Sequence, residues 1–126
     1  MPAGPRAIIE TSAGERSFRI EIADTDALRA RGLMGRERLD EGAGMAFLWP
    51  DDTDSAFHMR DTLVPLTVAF FAADGRILTT IDMVPCTADP CATYDPGLRY
   101  RGALEVRSGA LERAGVRVGD RVRIER

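Results

Sequence analysis

The sequence predicts a mainly β fold, a small antiparallel β-sandwich or partly closed barrel with two short helices. Short segments alternate apolar and polar side chains, turn-forming residues separate them at close intervals, and no long amphipathic helix is present. The last point disfavours a parallel α/β sheet, which needs helices to carry the chain back across it.

Residues 7–10 and 17–23 flank the turn-prone Ser12-Ala13-Gly14-Glu15, and Phe18, Ile20 and Ile22 alternate with Arg19 and Glu21, which predicts a hairpin with one buried face. Asp24 or Thr25 can cap a short helix from Asp26 to about Arg31, which Gly32 and Gly35 end. Met45 to Trp49 is a compact apolar run stopped by Pro50 and the turn Asp51-Asp52-Thr53-Asp54, so it predicts a buried strand. A second extended segment covers 55–60. The hairpin at Ala73-Asp74-Gly75, between strands 66–71 and 76–82, is the strongest local signal, because Asp-Gly accepts the positive φ of a tight turn. A loop rich in Pro, Cys and Asp spans 83–98, and 100–106 is another strand. Ser108 can cap a helix over 109–114 that Gly115 ends, and 116–125 returns as strand around the Gly119-Asp120 turn.

A chain of 126 residues with no repeat or linker reads as one domain, 1–126. Hydrophobic residues at 44% and charged residues at 29% give the balance of a soluble globular protein. Seventeen basic against twenty acidic residues leave a net charge of −3, which removes the general electrostatic case for binding nucleic acid or anionic membrane. All the basic residues are Arg, so no amine nucleophile or Schiff-base lysine exists. No apolar run is long enough for a membrane helix. The start, MPAGPRAIIE, lacks an apolar signal core and reads as cytoplasmic, or as the mature part of an exported protein.

Functional side chains are densest in Phe57-His58-Met59-Arg60-Asp61-Thr62. On a strand, His58 and Arg60 share one face, where they can hold an anionic ligand, and a neutral His can move a proton near pH 7. The same pair also suits the exposed face of a sheet, with Asp61 and Thr62 building a turn. In Arg31-Gly32-Leu33-Met34-Gly35-Arg36, the glycines allow close backbone approach, and Arg36 is either a surface charge or aimed into a cleft. Cys86 and Cys91 can form a disulfide, stay as unlinked thiols, or serve a metal or redox site. Asp51, Asp52 and Asp54 lack the glycine and final Glu of a calcium loop. No cofactor and no metal site is implied.

The motifs RGLMGRERL, GMAFLWP, SAFHMRDTLVPLTVAFFAADGRI, MVPC, CATY and ALEVRSGALERAGVRVGDRV, in that order, resemble the prokaryotic family known as domain of unknown function 192, over about residues 18–122. The resemblance implies a small, mainly β, sandwich-like domain, often exported or lipid-anchored, and no established activity. Met34, Gly35, Arg36, Met59, Arg60, Thr62, Pro65 and Leu66 match its motifs. His58 stands where an aromatic residue is usual, Asp61 where Asn is usual and Thr67 where Asp is usual.

The expected function is a binding module whose polar cleft, lined by Arg36, His58, Arg60, Asp61 and Thr62, takes a small anionic or sugar-like molecule. One alternative is a small enzyme with His58 or Asp61 as general base and an Arg stabilising an anion. Another is a peptide-binding or structural interaction domain, from the PDZ-like run Ala114 to Val122. Oligomeric state is not predicted.

Overall fold

The computed structural model describes residues 4–126; Met1 to Ala3, part of the stretch read for a signal segment, lie outside the described residues. The N-terminal hairpin forms as β1 (Arg6–Thr11) and β2 (Gly14–Ala23), paired from Arg6↔Arg19 to Thr11↔Gly14. Helix α1 (Asp26–Arg31) follows, with Thr25 as its cap. Then come β3 (Ala43–Thr53), β4 (Phe57–His58), β5 (Leu66–Phe71), β6 (Ile77–Met83), β7 (Thr93–Tyr94), β8 (Tyr100–Arg107), α2 (Ala110–Arg113) and β9 (Arg121–Glu125).

Seven strands build one sheet in the order β6-β5-β8-β3-β2-β1-β9, and β4 pairs with β7 in a second. A bridge between Arg76 and Arg121 joins the two ends of the large sheet, so the curled sheet closes at that corner into a partial barrel. Every neighbour pair is antiparallel except β2 and β3, which run parallel because α1 and the connection through residues 24–42 return the chain to the same end.

Three local expectations change. Strand β3 continues through Pro50 to Thr53, because the ladder to β8 breaks between Leu48 and Thr53 and leaves the proline no amide partner to supply. Ser108 does not cap α2; its N-cap is Gly109, at φ 82°. Residues 116–120 form the corner before β9, where the Gly119 amide donates to the Ile77 carbonyl and the Ile77 amide to that of Asp120, both at 2.8 Å. That corner, within the PDZ-like run, serves barrel closure.

Each sheet face buries its own apolar cluster. On one, Ile9, Phe18, Ala46, Ala69 and Leu104 pack with Leu111 of α2. On the other, Met45, Phe47, Val68, Phe70 and Ala103 pack beneath Leu33, Phe57 and Met59. Strand alternation aims Glu105 of β8 into this second face, between its cross-strand neighbours Met45 and Val68.

Candidate functional site

The chain leaves α1 at Gly32, with φ 50°, and turns again at Gly35, with φ 78°. The Gly35 amide donates to the Asp61 carbonyl at 2.8 Å. Asp61 has φ 56°, the one positive φ outside glycine among the described residues. The two sequence motifs therefore lie against each other, but they meet through backbone and apolar side chains and not through their guanidinium groups.

Arg36 makes a two-pronged ion pair with Glu21, at 2.6 and 2.7 Å, which holds that carboxyl below its usual range. Arg60 pairs with Asp89 at 2.7 Å. Phe57 and Met59 are buried while His58 and Arg60 are exposed, as strand alternation requires. His58 Nδ1 accepts the Arg60 amide at 3.2 Å, and no hydrogen bond joins His58 to Asp61 among the described residues. Buried Thr62 donates to the Arg60 carbonyl at 3.3 Å. Thr67, where the family resemblance places an Asp, donates to Asp82 on the neighbouring strand at 2.8 Å and accepts the Gly109 amide at 3.1 Å.

The structure joins Cys86 and Cys91 in a disulfide. Cys86 also braces the motif: it bridges Arg60 and Thr62, and its carbonyl accepts the Asp61 amide at 2.8 Å. Just beyond Cys91, β7 pairs Tyr94 with Phe57 and Thr93 with His58. The 86–94 loop is thus the strap that holds residues 57–62 in place. For so short a cross-link, the double variant Cys86→Ser/Cys91→Ser is expected to lose about 2 kcal/mol of unfolding free energy. Its amide spectrum should change at 57–62 and leave the β1–β2 hairpin unmoved; an unchanged denaturation midpoint would show that the strap contributes nothing.

Between α1 and this strapped segment lies a cavity of about 270 Å³. Phe47, Trp49, Phe57 and Leu33 line it, His58, Thr62, Asp26 and Arg31 add polar groups, and Glu105 belongs to its lining from β8. The aromatic side is rigid: Phe57 meets Phe47 edge-on at 5.0 Å and Phe70 at 5.5 Å, and Trp49 meets Tyr100 at 5.3 Å. Arg29 lies 5.4 Å over the Trp49 ring while donating to the Leu48 carbonyl at 2.6 Å and to Asp26 at 2.8 Å. Tyr100, fully buried, donates its hydroxyl to the Ser55 carbonyl, and burial raises its pKa.

Sequence reasoning missed Glu105. Its residue is only 4% exposed, and its carboxyl has no hydrogen-bond or ion-pair partner among the described residues. Burial pushes its pKa up to about 8, so the group is mostly protonated at neutral pH. A single acid inside the apolar run Ala103-Leu104-Glu105-Val106 was the available signal.

Residues 8–124 match DUF192, a family described as an uncharacterized ACR. The chain belongs to the DUF192 family. A solved structure from Sinorhizobium meliloti 1021, of a candidate transcription regulator, shares 28% identity with this DUF192 protein at a TM-score of 0.87, covering 98% of this chain and 95% of the other. A protein of unknown function from Novosphingobium aromaticivorans DSM 12444 shares 30% identity at a TM-score of 0.86, covering 94% and 83%. No curated protein matches the DUF192 chain. No helix among the described residues is long and apolar enough to cross a membrane.

Proposed function

We propose that this DUF192 protein is a small-molecule binding domain whose ligand occupies the cavity between α1 and β4. The observation that carries the reading is Glu105, a residue only 4% exposed whose carboxyl makes no hydrogen bond among the described residues and whose oxygens are not sealed in the core but open onto a formed cavity. Buried polar groups nearly always have partners, and one that opens onto a cavity is where a ligand atom completes the set. In this reading His58 and Thr62 line the site, and Arg36, Arg60 and Asp61 support it from outside.

A binding role is preferred to an enzyme using His58 or Asp61 as general base, because among the described residues no nucleophile, base and orienting partner stand in one hydrogen-bonded set. The name of the Sinorhizobium meliloti protein raises a role in transcription regulation, but a net charge of −3 supplies no broad attraction to nucleic-acid phosphate.

Titrating ¹⁵N-labelled protein with millimolar monosaccharides, sugar acids and aromatic acids tests the site. Bound compounds are expected to shift the Trp49 indole signal and the amides of Leu33, Phe57 and His58. Shifts confined to the surface around Arg19, Arg36 and Asp40, or absent for every compound, would remove the proposal.

A further inference from the structure

The chemistry lining the cavity restricts what it can hold. At about 270 Å³ it lies just below the usual range for ligand pockets, a size that suits a single-ring compound. Seven of its fifteen lining residues are polar or charged, which suits a hydroxylated ring better than a hydrocarbon one. A purely apolar ring would also leave Glu105 without a partner once water is displaced.

The two ends of the site differ electrically. Asp26 and Arg29 neutralise each other at 2.8 Å. The Arg31 guanidinium, exposed on the same helix, has no ion-pair or hydrogen-bond partner among the described residues, so the mouth keeps one unmatched positive charge. At the inner end, Glu105 lies between Met45 and Val68, where an ionised ligand group would face an apolar wall and a second acid. The ligand's charge therefore belongs outside and its uncharged oxygens inside.

Resting on the binding role above, we propose that the cavity takes a sugar acid. Its ring lies among Phe47, Trp49 and Phe57, a ring oxygen or hydroxyl meets the Glu105 carboxyl, and its carboxylate sits at the mouth beside Arg31 and His58. In its protonated form Glu105 donates a hydrogen bond to that oxygen. The titratable and charged groups sharing the cavity with it are Asp26, Arg29 and Arg31 of α1 and His58 of β4, while β3 and β5 place Met45 and Val68 beside it.

Trp49 is the only tryptophan, so its fluorescence reports on the cavity directly. D-glucuronate, D-glucose and benzoate are titrated into the full chain at pH 6.5 and pH 9.5, with Arg31→Gln and Glu105→Gln alongside. Wild type is expected to bind D-glucuronate most tightly and to lose about tenfold or more in affinity at the higher pH. Arg31→Gln weakens D-glucuronate about fivefold and leaves D-glucose unchanged, and Glu105→Gln loses less affinity than wild type at the higher pH.

D-glucose binding as tightly as D-glucuronate, benzoate binding more tightly than either, or a wild-type affinity indifferent to pH overturns the sugar-acid assignment. If other ring compounds still shift the cavity amides in that case, the binding site itself stands. If no compound perturbs Trp49 or those amides, both inferences fall.

Discussion

Between pH 5 and pH 8 the wild-type chain is expected to lose about 4 kcal/mol of unfolding free energy relative to Glu105→Gln. Burial raises the folded-state pKa of Glu105 from 4.5 to about 8. Below 4.5 both folded and unfolded chains hold the proton, and the contribution to stability is complete. Above it, the unfolded chain releases a proton that the folded chain keeps, so stability falls by about 1.4 kcal/mol per pH unit until the folded pKa is reached. Glutamine has nearly the same shape and never ionises, so its curve lacks this slope. Urea denaturation of both proteins at each pH gives the difference, and parallel curves would mean that Glu105 is solvated or paired in solution. A domain that carries such an acid in an apolar wall gives up stability for it, which is common where the group has a task.

Gly75→Ala is expected to cost about 3 kcal/mol or more and to lower the melting temperature by about 10 °C. Gly75 has φ +89°, and a Cβ there would stand 2.2 Å from the Val122 carbonyl oxygen. The left-handed backbone alone costs a side chain about 1 kcal/mol or somewhat more; the clash must also displace β9, whose Val122 amide donates to the Gly75 carbonyl at 2.8 Å. This contact closes the barrel beside the Arg76↔Arg121 bridge. Gly97→Ala is the control, because Gly97 has φ +74° with nothing within 4 Å of the added atom. If both variants melt alike, closure at this corner does not support the fold.

The local elements that could be read from the chain are those whose signals are local. Asp74-Gly75 makes its turn, with the Arg76 amide donating to the Asp74 carboxylate at 3.0 Å, and Thr25 caps α1. The family resemblance was likewise carried by motifs along the chain and holds over residues 8–124. What could not be read depends on distant pairing. Pro50 looks like a strand stop until β8 is known to skip its ladder there. The parallel pairing of β2 and β3 has no signature in either strand.

The site divides in the same way. The Gly32–Gly35 turn and the His58 segment were legible as stretches rich in functional side chains, and His58 and Thr62 line the cavity that the fold places between them. The orientations of Arg36 and Arg60 were not, because each is decided by an acid far along the chain or in the disulfide loop, Glu21 and Asp89. Glu105 reads by alternation as a companion of exposed Arg107; only the folding of Leu33, Phe57 and Met59 over that face buries it.

The most direct measurement is the site-specific titration of the Glu105 side-chain carboxyl carbon by ¹³C NMR on the free 126-residue chain. A midpoint near 8 is the predicted result, the behaviour of an acid kept uncharged by its apolar surroundings and open to a ligand. A midpoint in the ordinary carboxylate range, near 4.5, would contradict the account: Glu105 would then be a hydrated surface acid, and the cavity would lose the group that makes it a binding site.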